Sequence, residues 1–268
     1  MKWVSFDPFR TQGFPDTTLL KPDQLFANLD LLRAAECVLF AEYWQIGAVV
    51  FALKRRVFPS LPSYLLGHDK IEMTRAFQAL VPGHIPETRI AANTPTHAEA
   101  LWQAMNLPFV AKLRRSAEGR GVWLIEDSRD WQRYLALTDV LYVQEQLPID
   151  RDIRVVIVGT EPIASYWRLQ SADGFHNNIA RGGVLDYSPV PHEAIDLAVT
   201  VARELGVDHA GFDVAMVGST PYLLEFNRLF GNQGIPGRDA FVRARILDHM
   251  MRDKPENSDK TPPPRLPR

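Results

Sequence analysis

The feature that most constrains this chain is the segment AGFDVAMVGSTPYLLEFN, residues 210–227. Two strand-like runs flank a Gly-Ser-Thr turn, which is the pattern of a β-hairpin. Asp213 falls on the first run, and Glu225 and Asn227 fall on the second. Residues two apart on a strand share one face of the sheet, so Glu225 and Asn227 point the same way. With ordinary antiparallel pairing, Asp213 lies opposite them. Phe212, Val214, Leu224 and Phe226 take the alternate positions and leave a defined polar face. Two carboxylates and an amide oxygen on one face form a hard, all-oxygen site, suited to magnesium that shares its shell with phosphates and water. The plainer alternative is an amphipathic hairpin whose carboxylates face solvent.

Around this hairpin the chain alternates between strand-like and helix-like segments. LPFVAKL, GVWLIED, LYVQEQL, RVVIVG and IASYWRL have strand character. HDKIEMTRAFQALV has helical spacing, with Ile71, Met73, Phe77 and Leu80 available for one face. PTHAEALWQAMN follows, with Thr94 or Thr96 as cap and Pro95 in its first turn. Further helices are expected near 129–137, over PHEAIDLAVTVARELG, and from about 239 to 252. Strand pairs mixed with helices predict an α+β fold rather than a continuously alternating parallel sheet. Residues 34–53 are apolar enough to resemble a membrane span, but Glu36, Glu42 and Gln45 interrupt them. A charge near mid-bilayer costs roughly 2.5–3.5 kcal/mol, so this stretch reads as a buried strand, CVLFA, and a helix over roughly 43–55. PSLPSYLLG, 59–67, reads as a linker.

Composition narrows the function classes. Lys and Arg total 30 against 32 Asp and Glu, a formal charge of −2, which argues against nucleic-acid binding driven by bulk charge. The one cysteine, Cys37, excludes a disulfide framework and a cysteine-rich zinc site, and reads as a small buried apolar residue. The N-terminal residues lack the pattern of a signal peptide, so a soluble cytoplasmic protein is expected. About the last 15 residues are polar and proline-rich and are expected to be disordered.

Two further segments carry chemistry. In FVAKLRRSAEGRGVWLIE, Lys112 sits in an apolar strand, where an ammonium is costly unless it meets an anion. The glycines at 119 and 121 allow backbone amides to approach a phosphate closely. An edge-strand lysine before an ordinary turn is the bland alternative. Arg154 and Arg168 each interrupt an apolar strand and call for acidic, phosphate or carbonyl partners. His176, Asn177 and Asn178 form a polar knot before Arg181-Gly182-Gly183. No GxSxG elbow, HExxH helix or GxGxxG loop is present.

In this order, KLRRSAEGRGVWLIE, QEQL, DIRVVIVG, R..SADGFHNN..RGG, AGFDV and LLEFN resemble the ATP-grasp superfamily, most closely its RimK-type glutamate ligases. The resemblance runs from residue 68 to 234, about 60% of the chain. It implies an ATP-grasp fold, in which two α+β lobes clasp ATP after a short N-terminal α/β lobe. The expected division is 1–65 for that N-terminal lobe and 66–252 for the ATP-grasp domain, with a small lobe about 66–143, a large lobe about 144–252, and a tail from 253. It also implies roles. Lys70 and Lys112 match lysines on the ATP phosphates, and Glu145, Gln146 and Leu147 match the hinge that holds adenine. Asp152 matches an ATP-contacting aspartate, and His176, Asn177 and Asn178 match a nucleotide-contacting Arg-Ser-Asn triplet, identical only at Asn178. Asp213, Glu225 and Asn227 fall on the magnesium ligands, with manganese as an alternative ion. Arg168 matches an arginine that steadies the transferred phosphoryl group. The loop 115–121 is expected to close over ATP.

The activity implied is ATP-dependent ligation of a carboxylate to an amine, with small-molecule or peptide substrates and neither nucleic acid nor membrane as partner. A homo-oligomer is compatible with it. The alternatives are a non-catalytic nucleotide-binding protein that kept the fold, and a ligase acting on a partner polypeptide. After Asn227 the family has a Ser-Pro-Gly type turn, whereas this chain has RLFGNQG, so the acceptor is not specified.

Overall fold

The computed structural model describes residues 2–115, 121–169 and 184–252. His176, Asn177 and Asn178, most of the loop 115–121, and the C-terminal tail lie outside the described residues. Within them, the chain builds three sheets in succession.

The first sheet is parallel. Its strands are β1 (Trp3–Ser5), β2 (Thr17–Leu19), β3 (Cys37–Leu39) and β4 (Arg56–Phe58), in the order β2-β1-β3-β4. Val4, Val38 and Val57 pack on one side with Leu32 of helix α1 (Leu29–Ala34). Cys37 is buried on the other side, as expected of a small apolar residue.

The helix expected over 43–55 is instead a 3₁₀ turn, Tyr43–Gln45, followed by a π turn, Gly47–Ala52. Gln45 is fully buried and accounts for this. Its Oε1 accepts from Glu42 N at 2.7 Å and its Nε2 donates to Pro22 O at 2.9 Å, so the chain turns around the amide. The expected linker at 59–67 contains helix α2 (Leu61–Leu66), capped by Ser60. Pro62 sits in its first turn, where a missing N–H costs nothing. Among the described residues no helix is long and apolar enough to cross a membrane.

Helix α3 (Lys70–Leu80) buries Ile71, Met73, Thr74 and Phe77, while Leu80 is exposed. The second sheet is antiparallel: β5 (Thr88–Ala92), β6 (Phe109–Lys112), β7 (Val122–Ile125) and β8 (Val140–Glu145), ordered β5-β8-β6-β7. Helices α4 (Pro95–Ala104), capped by Thr94, and α5 (Ser128–Leu135) cover one face through Leu101, Trp131 and Tyr134. Phe109, Ala111, Leu141 and Val143 point into that core, so by strand alternation Lys112, Tyr142 and Gln144 point to the opposite face.

The third sheet has the order β11-β10-β9-β12-β13, all antiparallel. Its strands are β9 (Arg151–Val158), β10 (Glu161–Leu169), β11 (Val184–Asp186), β12 (His209–Val217) and β13 (Thr220–Asn227). Helix α6 (His192–Leu205) buries Ala194, Leu197, Ala198, Val201 and Ala202, the stripe an amphipathic helix lays on a sheet. It packs against Ile153, Val155, Ile157, Phe212 and Phe226. Burying each such side chain is worth roughly 1.5–3 kcal/mol. The opposite face carries Asp152, Arg154, Val156 and Val158 on β9. Val156 and Val158 share a core with helix α7 (Arg238–Arg252) and with Trp3, Cys37 and Phe58 of the first sheet.

The hairpin pairs as the sequence implies, with one correction. Asp213 pairs with Glu225, but Val214 pairs with Leu223, so Leu224 is the extra residue of a β-bulge. Leu223, not Leu224, therefore enters the core beside Phe226.

Candidate active site

Register brings the charged residues into line. Arg154 on β9 lies opposite Asp213 on β12, which lies opposite Glu225 on β13. On the other flank of β9, Arg168 pairs with Asp152 and Tyr166 with Arg154. The row lies at the end of the sheet face where the apolar packing of α7 stops.

Asp213 is buried and meets two guanidinium groups. Arg168 Nη2 lies 2.9 Å from its Oδ2, and Arg154 Nη2 donates to the same oxygen at 3.3 Å. Arg154 Nε is 2.6 Å from Asp213 Oδ1, but not aligned for a hydrogen bond, so this buried oxygen has none. Arg168 also holds Asp152 through two bonds of 2.7 Å. Burial alone would lower the Arg168 pKa, but Asp213 and Asp152 outweigh it and raise the pKa above its usual range. Asp152, expected at the nucleotide, thus uses both oxygens to orient Arg168.

A second cluster joins three elements. Lys70, the first residue of α3, forms an ion pair with Glu225. The helix starts here because Asp69 caps it, accepting from Ile71 N at 2.9 Å. Asp69 also pairs with Arg114, and Lys70 N donates to Arg114 O at 3.1 Å, which ties α3 to the end of β6. Lys112 is buried, its Nζ 5.7 Å from the centre of the Tyr142 ring. Burial pushes its pKa down to about 8, against the pull of Glu225. Partial burial alone would raise the Glu225 carboxyl, but Lys70 and Lys112 hold it down at about 2. Asn227 Nδ2 donates to Glu225 Oε1 at 3.2 Å, and among the described residues its own oxygen accepts no hydrogen bond.

Glu145 is the last residue of β8, and Gln146 and Leu147 follow it on the segment that leads to β9. Glu145 is exposed, and its Oε1 accepts from Glu87 N at 2.8 Å. Gln146 and Leu147 join the second sheet to the third.

The site thus unites Lys70, Lys112, Arg168, Asp152, Asp213, Glu225 and Asn227. It adds Arg154, which the sequence marked as needing an acidic, phosphate or carbonyl partner without assigning it to the site. Gly211 makes room for Arg154, since a Cβ there would lie 2.7 Å from Arg154 Nη1.

The sequence matches the RimK-like ATP-grasp domain over residues 69–246, about two thirds of the chain. This chain belongs to the RimK-like ATP-grasp family. Its relatives include a probable α-L-glutamate ligase of Enterobacter sp., 32% identical over 195 residues, covering 67% of this chain and 64% of that protein. A ribosomal protein bS6–L-glutamate ligase of Salmonella paratyphi B is 30% identical over 194 residues, with the same coverage of 67% and 64%. The chain therefore spans less than two thirds of the length of these relatives. Among solved structures, a RimK domain ATP-grasp protein from Sphaerobacter thermophilus superposes with TM-score 0.71 at 17% identity, covering 93% of this chain and 99% of that one. D-alanine–D-alanine ligase from Bacillus anthracis with ATP gives TM-score 0.69 at 11% identity, covering 94% and 98%. The fold is that of the ATP-grasp proteins, and the family is one that binds ATP.

Proposed function

We propose that this ATP-grasp chain is a carboxylate–amine ligase that activates an acid with ATP and joins it to an amine. The observation that carries this reading is the cross-strand row, with Asp213 and Glu225 opposite one another and Lys70, Lys112, Arg154 and Arg168 around them. Phosphoryl transfer needs little covalent chemistry from a protein; it needs reactants held in line and their spreading charge neutralised. A fixed set of cations interleaved with oxygen donors provides both.

Asp213, Glu225 and Asn227 fit a divalent ion. Their donors are all oxygen and share one face of the hairpin, and Asp213 Oδ1, 2.6 Å from Arg154 Nε, makes no hydrogen bond. Two carboxylates and an amide suit magnesium, and manganese has the same preference and is the natural substitute. When bound, the ion draws charge from the phosphates. Lys70 and Lys112 hold the phosphates, and Glu145, Gln146 and Leu147 hold the adenine. Arg168, kept rigid by Asp152, faces the transferred group.

In the reaction, an oxygen of the acid bonds to the γ-phosphorus as the bond to the β-bridging oxygen breaks, giving an acyl phosphate and ADP. The amine nitrogen then bonds to the acyl carbon, phosphate leaves with the electron pair of the broken bond, and the amine gives its proton to solvent. No nucleophilic side chain is required, in keeping with the buried Cys37. The names of the relatives make L-glutamate the first small substrate to test, and a ribosomal protein the first polypeptide one. The test is ADP release by the purified chain over pools of acids and amines. Release that requires acid, amine and magnesium together supports the ligase. Release that ignores the acid contradicts it.

A further inference from the structure

Arg228 is set apart from the other arginines around the site. It follows Asn227 directly, where β13 ends in a bend. Arg154 and Arg168 are spent on Asp213, Arg114 on Asp69, and Arg10 on Asp7 at 2.6 Å. Among the described residues, the side chain of Arg228 makes no ion pair and donates no hydrogen bond. Its guanidinium lies over the fully buried ring of Tyr64, 4.6 Å from the ring centre. Its backbone is fixed as well, because Arg228 O accepts from His209 Nδ1 at 2.6 Å. A Cβ on Gly67 would come within 3.3 Å of Arg228 Cβ, so α2 packs closely against this residue.

The surroundings belong to the first sheet. Arg10 follows β1, and Glu42 follows β3, both at the carboxyl ends of parallel strands. That edge of an open α/β sheet is where ligands bind. Glu42 attracts Arg228 without reaching ion-pair distance, and Arg10 repels it. Lys112, by contrast, interacts with Glu225, Lys70 and Asp213. The cations thus fall into two groups, one at the proposed phosphates and one beyond Asn227.

We propose that Arg228 is a specificity-determining residue that binds a second carboxylate of the acid substrate, so that the chain selects dianionic acids. The planar guanidinium matches a carboxylate with two parallel hydrogen bonds, and stacking on Tyr64 holds that plane in place. A partly desolvated cation without a counter-ion gains most when an anion arrives. The inference rests on the ligase reading, because it takes the acid to lie between Asn227 and the first sheet.

The test is binding to the full chain in the presence of magnesium and a non-hydrolysable ATP analogue. The probes are succinate, glutarate and adipate, their half-amides, and 3-phosphonopropionate. The wild type is expected to bind at least one diacid at least tenfold more tightly than its half-amide, the scale of a charge-assisted bond. Arg228→Gln is expected to abolish that ratio and Arg228→Lys to keep part of it, with nucleotide affinity unchanged in both. Equal binding of diacid and half-amide by the wild type overturns the subsite without needing any variant. So does nucleotide binding with no acid bound, or loss of nucleotide affinity in Arg228→Gln. Tightest binding of the phosphonate assigns the subsite to phosphate and overturns the carboxylate. Failure of the analogue and magnesium to bind at all defeats the ligase reading, and the subsite with it.

Discussion

Glu225 serves two partners with one carboxylate: it neutralises Lys70 and Lys112, and it is a proposed metal ligand. Glu225→Gln preserves volume and removes the charge. ADP release is expected to fall at least about 100-fold, the usual cost of one preorganised electrostatic group, with the far-ultraviolet circular dichroism unchanged. Wild-type release in the variant would remove Glu225 from the mechanism. His209 makes a different prediction. It is buried against Phe40, Phe58 and Phe230, and burial pushes its pKa down to about 4, from about 6.5 in an unfolded chain. Between those values the unfolded state binds the extra proton, so stability rises with pH across that window and is lost as pH falls through it. The slope from this group is at most about 1.4 kcal/mol per pH unit. His209→Phe should flatten denaturant-derived stability between pH 4 and 6.5 while lowering it overall, because Arg228 O loses its donor. An unchanged slope would mean that His209 does not titrate there. The depressed Glu225 carboxyl acts in a lower window, its contribution being lost as pH falls from about 4.5 to 2.

The strands and helices that surround the site differ in how plainly the sequence announced them. Strand-like apolar runs and helical spacing were enough for β9, β10, β12, β13 and α6, and period two for the shared face of Glu225 and Asn227. The bulge at Leu224 was invisible, since one inserted residue carries no side-chain signal of its own. For the same reason Leu224 read as core in place of Leu223. Arg154 was legible as a cation needing an acidic, phosphate or carbonyl partner, but its pairing with Asp213 depends on register between β9 and β12. The turns around Gln45 were hidden because a buried glutamine reads like any polar residue in a helix. The segment RLFGNQG had no family pattern to follow, yet Phe230 and Ile235 anchor it in the core beside α7. It rests on Tyr166, and a Cβ at Gly234 would lie 2.4 Å from Tyr166 Cζ. That ring is buried and cannot swing aside, so Gly234→Ala is expected to destabilise the fold by about 1–3 kcal/mol, the cost of overpacking. Urea unfolding measures this, and an unchanged midpoint would mean that the segment does not dock as described.

The three sheets meet around the charged row: the second supplies Lys112, the third supplies the row itself, and the first closes the side of Arg228. The matched family region begins at residue 69, so the first sheet lies outside it, although superposition on a RimK domain protein covers 93% of the chain. Sequence likeness therefore covers the charged row and leaves the first sheet to geometry. A molecule arranged in this way should transfer oxygen as well as phosphorus. If the acid attacks the γ-phosphate, one oxygen of the carboxylate must leave with inorganic phosphate when the amide forms. The decisive measurement is mass spectrometry of phosphate released from unlabelled ATP during turnover of an ¹⁸O-carboxylate-labelled acid. One ¹⁸O atom in each phosphate derived from a doubly labelled carboxylate is the predicted result; amide product accompanied by unlabelled phosphate would contradict it.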